Sequence, residues 1–98
     1  MSVLMTMRVH GNPMSVEGED KAMMLSIADK AKGYGVISHH FFATDDEVLV
    51  VDEWPDEASA QRFFDASPEI NEMMGRAGVT AAPDVTFWRH LETGDDIG

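Results

Sequence analysis

Between Val36 and Trp54 two runs of β-branched and aromatic residues are separated by the acidic pair Asp45-Asp46. Val, Ile, Phe and Thr suit a pleated strand, and two adjacent Asp residues suit a tight turn, so this stretch predicts a β-hairpin. The hairpin is apolar on both sides. Phe41, Val48 and Val50 alternate with Phe42, Leu49 and Val51, and successive strand residues point to opposite faces. A sheet built around it must therefore be covered twice.

The flanking segments supply one cover. Val3 to His10 alternates as a strand and ends at Gly11-Asn12-Pro13. Asn12 suits an N-cap and Pro13 the first helical position, which predicts a helix from there to about Lys32. Val16, Met23, Ile27, Ala31 and Tyr34 recur along it at helical spacing. Gly18 weakens its first turns by roughly 1 kcal/mol relative to Ala. After Trp54, Asp56 caps a short helix through about Ala66. Ser67-Pro68 opens another, with Ile70, Met73, Met74 and Ala77 as its apolar stripe. Asp84 to Glu92 reads as a last strand, and residues 93–98 as a flexible acidic tail.

The order is strand, helix, strand, strand, helix pair, strand. Right-handed crossovers on that order give an α+β ferredoxin-like sandwich: a four-stranded antiparallel sheet, spatial order 4-1-3-2, with helices on one face. Residues 1–98 are expected to form one domain. Its second sheet face is left bare, and another copy of the same sheet is the simplest cover, so a homodimer is expected.

Charge narrows the partners. Eighteen acidic residues against 7 basic give a formal net charge of −11, which argues against nucleic acid and anionic membranes. Without cysteine there are no disulfides and no thiolate chemistry. No apolar run approaches a membrane span, and no export-signal pattern opens the chain, so a cytoplasmic location is expected.

The stretch Val50-Val51-Asp52-Glu53-Trp54-Pro55-Asp56-Glu57-Ala58, followed by Phe63-Phe64 and Ser67-Pro68-Glu69-Ile70, resembles the dimeric α/β-barrel superfamily, in particular antibiotic biosynthesis monooxygenase-like domains. The resemblance spans about Val3 to Leu91. It implies a homodimer with sheets face to face and a small pocket in each subunit between sheet and helices. Some relatives oxidise polycyclic aromatic substrates with O₂ and no cofactor, using pocket Trp, Asn and Arg residues; others bind and degrade haem. Trp54 corresponds to their strand-three Trp. Asn12 and Asn71 both fall outside strands, so the strand Asn has no counterpart. The haem degraders' late-helix His falls at Met73 or Met74, and their first-strand Asn at Met7, which disfavours haem. No cofactor is expected.

Two adjacent histidines, His39 and His40, sit in the first hairpin strand. They point to opposite faces and cannot chelate one metal from one strand. If Asp45-Asp46 is a two-residue loop, Thr44 pairs with Glu47, Phe41 with Val50, His39 with Asp52, and Ile37 with Trp54. His39, Asp52 and Trp54 then share one face. His40 shares the other with Phe42, Leu49, Val51 and Glu53. In the functional reading His39 is a base or proton shuttle oriented by Asp52, and Trp54 and Phe41 wall a ligand site. In the structural reading the pair only satisfies two partly buried polar groups. His39 and Asp52 offer two metal ligands with no third, so no metal is expected. Arg8 and Arg89 read as partners for interface carboxylates, and His10 and His90 as solvated. Met23, Met24, Met73 and Met74 read as core, or as walls of an adaptable pocket.

Two functions follow. One is a cofactor-independent monooxygenase acting on a small aromatic or polyketide-like molecule. The alternative is a non-catalytic dimeric domain that binds a small hydrophobic ligand.

Overall fold

A computed structural model describes residues 1–79 and 81–98. Its elements run β1 (Val3–His10), α1 (Pro13–Glu17), α2 (Lys21–Gly33), β2 (Ser38–Ala43), β3 (Glu47–Trp54), α3 (Glu57–Asp65), α4 (Pro68–Arg76) and β4 (Asp84–Arg89). The four strands form one antiparallel sheet ordered β2-β3-β1-β4. This is the ferredoxin-like arrangement that the element order implies.

The hairpin register is set by its turn. Thr44 N–H donates to the Glu47 carbonyl at 3.0 Å, and Glu47 N–H donates back to the Thr44 hydroxyl at 3.1 Å. That closes a two-residue loop, and the pairs follow by counting: Phe41 with Val50, His40 with Val51, His39 with Asp52. A one-residue slip would have sent every one of these side chains to the other face.

The long helix expected from Pro13 to Lys32 is two helices. Gly18 closes α1, and Asp20 starts α2 afresh by accepting from Ala22 N–H at 2.9 Å. A poor helix former followed by a good cap favours a break over continuation. At the far end Gly35, with φ at 101°, turns the chain towards β2. Asp56 caps α3 as expected, accepting from Ser59 N–H at 2.7 Å. Ser67 does not cap α4 with its side chain; its hydroxyl is buried without a partner. Ile70 N–H donates to the Ser67 carbonyl at 3.2 Å, and Lys30 ties this end of α4 to α2 by donating to the Ala66 carbonyl and pairing with Glu69 at 3.0 Å.

Along β3 burial alternates strictly: Val48, Val50, Asp52 and Trp54 are buried, and the residues between them only half-buried. The buried set faces the helices and joins Met5, Met7 and Val9 of β1 with Ala31, Ala60, Phe63 and Ile70. Each large apolar side chain buried there contributes roughly 1.5–3 kcal/mol. Trp54, fully buried, stacks at a tilt on Phe63 with ring centroids 5.5 Å apart. The opposite sheet face leaves Leu4, Phe42 and Trp88 exposed, with an Arg8–Glu47 ion pair at 2.6 Å among them. Arg89 pairs in register with Val3, on the helix side of the sheet rather than beside Arg8. No helix among the described residues is long and apolar enough to cross a membrane.

Candidate functional site

Between the helix face of the sheet and the helices lies a cavity of about 70 Å³. The sheet contributes Met7, Val9, Phe41, Val48 and Val50. The helices contribute Met24, Ile27, Phe63, Phe64, Met73 and Met74. Gly11 also lines it. A Cβ there would come within 3.2 Å of the Val79 side chain and 3.3 Å of the Ala77 carbonyl, so a larger residue would push the end of β1 off the turn after α4. Asn12 N–H donates to that same carbonyl at 3.2 Å.

Two polar side chains break this apolar lining, His39 and Asp52. They come from adjacent strands at opposed positions, and the two-residue loop is what brings them together. His39 Nδ1 lies 2.6 Å from Asp52 Oδ1. The other carboxylate oxygen, Oδ2, accepts from Trp54 Nε1 at 3.3 Å. Asp52 is almost fully buried, with a side-chain exposure of 5%, whereas His39 keeps 36%. The histidine on edge strand β2 thus reaches both cavity and solvent, and its carboxylate partner lies inside.

An ionised carboxylate only accepts hydrogen bonds, so towards an ionised Asp52 the ring donates from Nδ1. Nε2 has no hydrogen-bond partner among the described residues, and in the neutral ring it presents a lone pair. Phe41 stands edge-on to the His39 ring, centroids 5.0 Å apart at 80°.

The structure therefore brings three of the four expected site residues to one cavity: His39, Asp52 and Phe41. Trp54 is the correction. It shares their sheet face but does not line the cavity. Its indole lies at the end of the sheet under Phe63, with no exposed surface. The flat walls belong to Phe41, Phe63 and Phe64, and the pair Phe63-Phe64 was the sequence signal for them. Of the four methionines, Met24, Met73 and Met74 line the cavity and Met23 does not; Met23 Sδ lies 3.4 Å from Arg76. That arginine is held to Glu19 by two contacts of 3.2 and 3.3 Å.

His40 lies on the other face, its ring centroid 6.3 Å from that of Phe42. His90 is exposed and sits between Glu92 and Asp96, at 3.4 and 3.1 Å. These two carboxylates, Asp96 above all, raise its pKa above the ordinary histidine value. No cluster of three or more metal-ligating side chains occurs among the described residues.

No family model matches the sequence, and no curated protein matches it. Solved structures do share the fold. SnoaB from Streptomyces nogalater, a cofactor-independent oxygenase, superposes with a TM-score of 0.64 at 17% identity, covering 97% of this chain and 98% of its own. A structure from Caulobacter crescentus, provisionally named an antibiotic biosynthesis monooxygenase, gives 0.63 at 15% identity over 93% and 91%. Rv0793 from Mycobacterium tuberculosis gives 0.59 at 14% identity over 97% and 100%. At these identities the likeness establishes the fold: this chain has the architecture of the antibiotic biosynthesis monooxygenase structures over nearly its whole length.

Proposed function

We propose that this protein is a cofactor-independent oxygenase of small hydroxylated aromatic molecules, working as a homodimer. The observation that carries the reading is the His39–Asp52 pair, a positioned base set in an otherwise apolar cavity. In this reading His39 Nε2 takes the proton of a ring hydroxyl and Asp52 holds the resulting imidazolium. Apart from this pair the lining side chains are apolar. A localised oxyanion would find no other side-chain donor there, whereas a phenolate spreads its charge into the ring. Such an electron-rich anion reduces O₂. One oxygen atom enters the ring as a carbonyl in place of a C–H, and the other leaves as water with the two hydrogens the ring loses. The shared fold with SnoaB supports this assignment.

The cavity also bears on substrate size. About 70 Å³ is small beside the roughly 300–1,000 Å³ of sites that enclose drug-sized ligands. A single ring is the natural fit. Anything larger requires Met24, Met73 and Met74 to change rotamer, which unbranched thioethers do at little cost. The helix-free sheet face supports the dimer: exposed Phe42, Trp88 and Leu4 would be covered by a second copy, burying at least about 1,000 Å² in a stable interface.

Oxygen-electrode measurements on a panel of mono- and dihydroxybenzenes and naphthols test the function. Wild type should consume O₂ above the uncatalysed background with at least one of them, and His39→Ala should fall by about 10²-fold or more, the scale of a lost general base. No uptake with any of them, alongside saturable binding of the same compounds, would leave a non-catalytic ligand-binding domain as the reading.

A further inference from the structure

Trp54 has no contact with the cavity, yet it is bonded to the group that orients the base. It stands two residues from Asp52 on the same strand and face, so its indole reaches back over the carboxylate. Nε1 donates to Oδ2 at 3.3 Å while Oδ1 accepts from His39 Nδ1 at 2.6 Å. Each oxygen of this buried carboxylate therefore has its own donor. A carboxylate held at one oxygen can turn about its Cβ–Cγ bond. Held at both, it presents a fixed acceptor to the imidazole. The indole in turn is locked by Phe63, against which it packs at 35°, and a buried indole N–H requires an acceptor.

We infer that Trp54 is a positioning residue, the third member of a Trp54–Asp52–His39 relay of hydrogen bonds that keeps the His39 proton on Nδ1 and Nε2 free as a base. It acts through Asp52 and touches neither cavity nor substrate. This rests on the reading of His39 as a base but can be tested without turnover. Orientation of a buried base by outer hydrogen bonds is a general device for holding one tautomer.

The experiment is ¹⁵N–¹H NMR of the imidazole and indole groups in wild type, Trp54→Phe and Asp52→Ala. Wild-type His39 should be a single Nδ1–H tautomer when neutral. Trp54→Phe keeps the ring and removes the donor; its folding is checked by the strand amide resonances, and His39 should become a mixture of tautomers. A folded Trp54→Phe with the wild-type His39 tautomer overturns the inference. Should that variant not fold, the decision passes to the indole proton of Trp54, which must move upfield in Asp52→Ala; an unmoved indole proton overturns the inference equally. If the tautomer depends on Trp54 while no hydroxyarene is oxidised, the oxygenase reading fails and the relay stands.

Discussion

The two faces of the β2–β3 hairpin are made by alternate residues of the same two strands, yet they have opposite characters. The helix face carries His39, Phe41, Val48, Val50, Asp52 and Trp54, and everything it contributes from β3 is buried. Its one polar pair is directly bonded. The other face carries His40, Phe42, Leu49, Val51 and Glu53, with Phe42 more than half exposed. Its polar groups are His40, opposite Val51 in mid-strand, and, towards the ends, Glu53 and the Arg8–Glu47 pair. Adjacent residues are thereby open to different tasks. His39 and Asp52 lie inside, where we propose a base and its orienting carboxylate, and one residue along, the side chains lie on the bare sheet face, which we propose a second copy covers.

Single substitutions on the two faces test this contrast. The largest effect is expected at Trp54, which has no exposed surface and is packed on Phe63. Trp54→Ala should cost about 3–5 kcal/mol of folding stability, measurable by denaturant unfolding, because it leaves a large cavity and an unpaired Asp52 oxygen. Next comes Val51→Asp, on the opposite face from Asp52. It should weaken self-association by about 100-fold or more in sedimentation while leaving the fold intact, since it strands a charge in an apolar surface. Wild type found only as monomer at micromolar concentration would remove the second task from the bare face altogether.

The adjacent histidines give a narrower test. His39→Ala should leave the dimer intact and lose O₂ consumption or ligand binding, whereas His40→Ala should retain both chemistry and binding and loosen assembly. Equal effects from the two would mean that the faces do not divide the work.

The smallest effects lie away from both faces, in acid. Hydrogen bonds from Ser59 hold the Asp56 carboxyl below its ordinary pKa, and the Glu69 backbone N–H, with Lys30, does the same for Glu69. Groups depressed in the folded state stabilise it above the ordinary carboxylate range and lose that contribution as pH falls through their folded values. His90 has the opposite sign: its raised pKa contributes below the ordinary histidine value and fades as pH rises through the folded one. All three are solvent-facing, so thermal melts across acid pH should show only a modest decline from Asp56 and Glu69. Asp56→Ala should lower Tm slightly and flatten that decline, in contrast to any change within the helix-facing set.

Much of this architecture is decided by near-neighbour rules. Strand alternation has a period of two, and a two-residue loop allows one count back from it. Thr44 to Glu47 therefore determines that His39 meets Asp52 before any tertiary contact is considered. The order of elements, the bare sheet face and the caps at Asn12 and Asp56 are legible for the same reason: each depends on residues close in the chain. The break at Gly18-Asp20 was local too, but it turned on a competition between a continuing apolar stripe and a new cap, and the cap prevailed.

What the cavity touches was decided elsewhere. Trp54 shares a face with His39, which makes it a wall on paper. In the folded chain α3 brings Phe63 onto it and turns its N–H to Asp52. Met24 lines the space and Met23 does not, because Arg76 of α4 meets Met23 on the flank of α2. Strand alternation is enough to say which residues face the helices. Which of them meet empty space is settled by packing, because a void is the remainder after side chains from several distant segments have packed, and no single segment contains that sum.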